Sequence, residues 1–101
     1  MGDNVSLMKF LYGRVMEELT DAEVYFGKAC ATKRSAANVS KLFAQIADDE
    51  LKHAEMLDKE IQKIVESVED GSNEHVIFDF MRDATADAYR RARTSKAMYT
   101  G

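Results

Sequence analysis

The sequence contains no proline and no tryptophan, one cysteine and five glycines in 101 residues. Each scarcity excludes something. Without proline, no position deletes a helical hydrogen bond or wedges a ring into the preceding turn, so long uninterrupted helices are expected. A lone cysteine, Cys30, cannot build an internal disulfide framework, a four-cysteine zinc site or a rubredoxin-type iron centre. Its ordinary role is that of a small packed side chain, and a reducing cytoplasm is the expected compartment. No apolar run approaches the roughly 20 residues of a membrane span. Lys9 and Arg14 interrupt the apolar patch near the N-terminus, and no small-residue cleavage site follows, so it does not read as a secretory signal. Cations are in deficit too. Lys and Arg number 14 against 18 Asp and Glu, a formal charge of −4, which argues against a nucleic-acid partner.

What the chain does contain is periodic. Apolar residues make up 46% of it and charged residues 32%, enough for one small domain over 1–101 with a core and a soluble surface. The apolar positions alternate in steps of three and four, which predicts an all-α fold with helices over about 4–32, 36–69 and 74–96. Asp3 and Asn4 are candidate caps for the first helix and Ser35 for the second. Asp70-Gly71-Ser72-Asn73 is the clearest break. A turn of three or four residues after Thr32 forces the first two helices into an antiparallel hairpin. Beyond Lys96 the chain reads as a loose tail. Arg90, Arg91, Arg93 and Lys96 fall late in the third helix, where cations suit the negative end of its dipole.

Charge on an apolar stripe is the informative anomaly. On the first helix Leu11, Val15, Ala22, Tyr25 and Ala29 share a face, and Glu18 falls among them. On the second the stripe reads Val39, Phe43, Ile46, Glu50, His53, Leu57, Ile61 and Ile64. An ionised carboxylate buried without a partner costs several kcal/mol, so these acids demand compensation. Asp48, Asp49, Asp58 and Glu60 lie off the stripe and read as a solvated face. Glu50-Leu-Lys-His53 is an E-x-x-H, with a carboxylate and an imidazole one turn apart, as metal-binding bundles use. A buried structural Glu–His pair is the plainer reading. The third helix adds no second such motif: Asp79, Asp83 and Asp87 flank an apolar face of Ile77, Phe80, Met81, Ala84 and Ala88, and His75 reads as an exposed helix-start residue. One chain thus offers two carboxylates and one imidazole. Two chains about a two-fold axis offer four and two, whose negative charge balances two divalent cations. That predicts a homodimer with a dinuclear site on its axis.

Glu18-Leu-Thr-Asp-Ala-Glu-Val-Tyr25, followed by Leu42-Phe-Ala-Gln-Ile-Ala-Asp-Asp-Glu-Leu-Lys-His53-Ala, resembles the rubrerythrin branch of the ferritin-like superfamily over about residues 11–64. Full-length rubrerythrins carry two such helix pairs; a single pair looks like the half-length encapsulated ferritins, which build a di-iron centre across a dimer interface. The resemblance implies a ferritin-like four-helix core formed by dimerisation. It implies Glu18 and Glu50 as iron-bridging or chelating carboxylates and His53 as the terminal imidazole ligand. Tyr25, two turns from Glu18, would hydrogen-bond a ligand carboxylate; an aromatic core residue is the other reading. Glu17 matches an outer metal-attracting acid of half-length ferritins, but Thr20 stands where they place another acid, and a solvated Glu17 is the plainer reading. Ser95-Lys-Ala-Met-Tyr-Thr-Gly101 does not resemble the tail that directs cargo into encapsulin shells.

The expected cofactor is iron, two ions per dimer, with manganese or zinc as other occupants that the donor set suits. The expected activity is oxidation of ferrous to ferric iron by dioxygen or peroxide, serving iron handling or storage. The alternatives are rubrerythrin-like peroxide reduction, which requires a donor protein, and a metal-free helical interaction module. The expected partners are a second copy at least, ferrous iron and an oxidant, with a shell or electron donor as further candidates, and neither nucleic acid nor membrane.

Overall fold

A computed structural model describes residues 2–101, and side chains from Asn4 onward. The described residues form three helices and no strand: α1 (Gly2–Thr32), α2 (Ala37–Glu66) and α3 (Asn73–Thr100). None is long and apolar enough to cross a membrane. The candidate cap Asp3 lies outside the described side chains, and Asn4 falls inside α1 rather than before it.

The hairpin turn is closed by two short bonds. The Ala36 amide donates to the Thr32 carbonyl at 2.9 Å. Ser40, fully buried, donates its hydroxyl to the Ala29 carbonyl at 2.6 Å, bolting α2 to α1 where small side chains let the backbones approach. Ala36, not Ser35, is the residue flanking α2, and no side chain caps it. α2 stops at Glu66, three residues short of expectation. The Ser67 amide and hydroxyl both turn back to the Ile64 carbonyl, at 3.2 and 2.7 Å, tightening the last turn. Gly71 then takes a φ of +80°, which a Cβ would strain, and Ser72 caps α3 through the His75 amide. His75 is half-buried rather than exposed, because its ring folds back on the Val68 carbonyl at 3.3 Å.

α3 runs parallel to α1 and antiparallel to α2. Arg91 meets Glu23 of α1 at 3.4 Å, Tyr89 donates to Asp58 of α2 at 2.8 Å, and Lys96 meets Asp48 of α2 at 2.8 Å. Asp58 and Asp48 are therefore partners of α3 rather than a solvated face. Arg91 and Lys96 form two of these pairs, Arg90 pairs with Asp87 of its own helix, and Arg93 stacks over Tyr89 at 4.8 Å; none lies in the last turn, since the helix continues to Thr100. The expected loose tail is helical because Lys33 donates to the Tyr99 carbonyl at 2.6 Å and lies over its ring.

The core lies between α1, α2 and the inner face of α3. Met8, Tyr12, Val15, Leu19, Ala22, Phe26 and Ala29 of α1 are buried, as are Ala47, Leu51, Ala54, Ile61 and Val65 of α2 and Ala88 and Ala92 of α3. Alanines at the contacts set the close approach. On α3 the expected apolar face is partly wrong: Phe80 is 74% exposed and Ala84 is exposed, while Thr85 and Ala92 turn inward. The bundle is 53 Å long, with a radius of gyration of 16.0 Å, against about 13 Å for a compact domain of this length. Three long helices make a rod, and rods leave long edges uncovered.

Candidate metal centre

Because α3 covers one edge of the hairpin, the burial maximum of each hairpin helix rotates toward it. The opposite edge carries much of the stripe read from sequence. Leu11 and Tyr25 of α1, and Phe43, Ile46, Leu57 and Ile64 of α2, are only half-buried there, and Val39 and Leu42 are exposed. Glu18, Glu50 and His53 lie along this open edge.

Antiparallel packing brings α1 and α2 together rung by rung. On one rung, Glu18 Oε2 stands 3.7 Å from His53 Nδ1. On the next, Glu50 faces Asp21, whose negative charge acts on it. Further toward the turn, the Tyr25 ring packs against Phe43 at 5.7 Å between centroids. The Glu18 side chain is only 13% exposed, whereas His53 is 58% exposed, a rim position rather than the core position its place on the stripe implied. Helical geometry explains this: His53 lies about 100° from Ala54, which is fully buried, and among the described residues nothing covers its outer side.

Glu50 is electrostatically strained. Its Oε2 is buried with no hydrogen-bond partner. Burial above all, and then the negative charges of Asp21 and Glu18, push its pKa up to about 7, with His53 opposing. Glu18 is better compensated: Arg14 Nη2 donates to its Oε1 at 3.1 Å while Nη1 reaches Glu17 at 2.5 Å. Beside Glu18 and His53 the surface is hollowed into a groove of about 470 Å³, walled also by Arg14, Met56 and Leu57.

Asp21 and Arg14 were not singled out by the stripe, because both point off its centre. A signal for each was present. Glu18-x-x-Asp21 has the same one-turn spacing as Glu50-x-x-His53, and Arg14 stands one turn before Glu18. Among the described residues, no three His, Cys, Asp or Glu side chains converge closely enough to hold a metal ion. The donor types nevertheless suit iron, and an orphaned buried carboxylate oxygen is what a missing cation leaves behind. The residues of one chain thus supply part of a donor set that suits such a metal.

The family model for rubrerythrin matches residues 9–96, nearly the whole described chain. The chain belongs to the rubrerythrin family. Rubrerythrins are ferritin-like helical proteins that typically bind a di-iron centre. The rubrerythrin match spans all three helices, so α3 belongs to the family unit along with the hairpin. Neither a curated protein nor a solved structure matches the chain.

Proposed function

We propose that two copies of the chain pair through their open edges into a four-helix core, and that the di-iron centre so completed oxidises ferrous iron. The observation that carries this reading is the buried, partnerless Glu50 oxygen on a half-buried apolar edge that no other described element covers. Glu18 and Glu50 would bind through their carboxylates and His53 through a ring nitrogen, with Tyr25 packed behind them on Phe43. Four carboxylates from two chains neutralise two divalent cations, so pairing and metal loading relieve each other's electrostatic cost. Bound iron supplies the adjacent redox centres from which dioxygen or peroxide draws electrons. The apolar side chains around the acids exclude water, and pairing through this edge would cover the exposed side of His53 and turn it toward the shared centre. Manganese and zinc satisfy the same donors. A reducing cytoplasm suits both the ferrous substrate and the free Cys30.

Peroxide reduction is the second reading, favoured by the family itself. It requires an external electron donor, since one cysteine cannot hold a rubredoxin-type iron. Steady ferrous oxidation against peroxide turnover separates the two activities. The shared site is tested by iron titration with analytical ultracentrifugation at matched protein concentration. Saturation is expected near one ion per chain, two per dimer, with metal shifting the population toward dimer. One tight ion per strictly monomeric chain would overturn the shared site. An apo dimer indifferent to metal would favour a metal-free interaction module.

A further inference from the structure

The geometry points to Arg14 as a built-in competitor for the metal, a guanidinium that occupies Glu18 until a divalent cation displaces it, with Glu17 as the acceptor that keeps it afterwards. This rests on the metal-centre reading above and adds a specificity-determining residue to it.

The contacts are particular to one turn of α1. Arg14 forks, with Nη2 on Glu18 Oε1 at 3.1 Å and Nη1 on Glu17 Oε2 at 2.5 Å. The other oxygen of Glu18 faces His53 at 3.7 Å. Both Glu18 oxygens are therefore directed at cations or potential cations, one of them permanently charged. Arg14 and His53 line the same groove, on either side of the carboxylate. A metal that takes Glu18 must break the Arg14 contact or coexist with a guanidinium at close range, and both oppose binding.

Glu17 and Glu18 differ in burial in the way this exchange requires. The Glu17 side chain is 63% exposed and that of Glu18 13%. The guanidinium can thus withdraw outward, keeping its solvated partner while releasing the half-buried one. Charge also favours the arrangement. Without metal, Glu18, Glu50 and Asp21 crowd one short segment, and Arg14 is the permanent cation directly bonded to one of them. Loose or monovalent cations would not repay its displacement, whereas a divalent ion shared with Glu50 and His53 would.

The test is zinc(II) titration by calorimetry, with unfolding temperatures measured with and without zinc. Arg14→Gln should bind zinc up to about fivefold tighter than wild type, the factor that a partly exposed ion pair contributes. Its metal-free unfolding temperature should fall while its zinc-induced rise grows, a pairing of signs that general destabilisation does not give. Arg14→Lys should lie between Gln and wild type, since lysine keeps the charge but not the fork. Glu17→Gln should weaken zinc binding, and that loss should vanish in the Arg14→Gln background. If His53→Ala and Glu50→Gln abolish zinc binding but Arg14→Gln binds equally or more weakly, the competitor role fails alone. If the loss from Glu17→Gln persists in the double variant, Glu17 acts through its own charge and the exchange is overturned. If His53→Ala and Glu50→Gln bind zinc like wild type, the metal-centre reading falls and the role of Arg14 falls with it.

Discussion

The two edges of the α1–α2 hairpin solve the same problem by different means. The edge under α3 is closed by alanine contacts and by three cross-helix polar pairs: Arg91–Glu23, Tyr89–Asp58 and Lys96–Asp48. The other edge carries half-buried apolar residues but, among the described residues, no covering helix, and it concentrates acids whose charges repel. Each edge contains one buried polar atom without a partner, Tyr12 Oη on the α3 side and Glu50 Oε2 on the open side. Asp58, Asp79 and Arg82 stand near the first, whereas Asp21, Glu18 and the His53 imidazole stand near the second. The edge with an unmet electrostatic demand is the one we propose carries function, and the covered edge, with a small residual cost, the one we propose as scaffold.

The widest separation between the edges comes from paired aromatic truncations. Phe26 is 1% exposed in the three-helix core, so Phe26→Ala should cost about 3–4 kcal/mol of chain stability whether or not metal is present. Phe43, half-buried on the open edge, should cost under about 1 kcal/mol in the metal-free monomer when truncated, yet weaken association clearly. Urea unfolding and sedimentation equilibrium check both variants. Equal losses of stability without change in association would mean that the open edge is an ordinary surface.

Next in size is the pH response of the metal-free chain. The Glu50 carboxyl titrates near 7 in the folded chain, against about 4.5 for an unperturbed glutamate. The folded state therefore holds a proton that the unfolded state has released between these values. Stability must fall as pH rises from about 4.5 to 7 and level off above. The full displacement overstates the effect because the edge remains open to water, and roughly 1–2 kcal/mol is expected. Thermal unfolding from pH 4.5 to 8 reads it, and Glu50→Gln should flatten this part of the profile. A wild-type profile as flat as that of the variant would remove Glu50 from the buried set.

Much of this arrangement was legible in the residues, and the misses share a cause. Helix number and order, the turn after Thr32 and the break at Gly71 follow from local chemistry, because prolines are absent and the turn formers cluster. Glu18, Glu50 and His53 stand out because charge on an apolar stripe is conspicuous, and the structure sets Glu18 beside His53 and leaves one Glu50 oxygen buried without a partner. The azimuth of each helix was not. The apolar stripe is wide enough to serve two contacts, and which half becomes the core depends on where α3 docks. For that reason His53 falls at the rim, Phe80 faces outward, and Asp48 and Asp58 find partners. The α3 tail was lost in the same way: its order rests on Lys33 and Asp48, remote in sequence and invisible to periodicity.

The smallest effect expected is a gain, and it tests whether the α3 edge is pure scaffold. Tyr12 is 4% exposed, its hydroxyl is buried without a partner, and burial pushes its pKa up to about 12. The phenol therefore stays protonated at neutral pH, and its hydroxyl contributes only a desolvation cost. Phenylalanine keeps the ring and its packing beside Val15 and Leu19 while deleting that cost. Removing an unsatisfied polar group in this way is worth up to about 1 kcal/mol. Tyr12→Phe should accordingly raise the unfolding temperature by a few degrees and leave zinc affinity and association unchanged. The contrast with Glu50 is what makes the variant informative, since removing the open-edge orphan should alter stability, assembly and metal response together. A Tyr12→Phe variant that lost metal binding would place the two orphans in one functional network and dissolve the distinction between the edges.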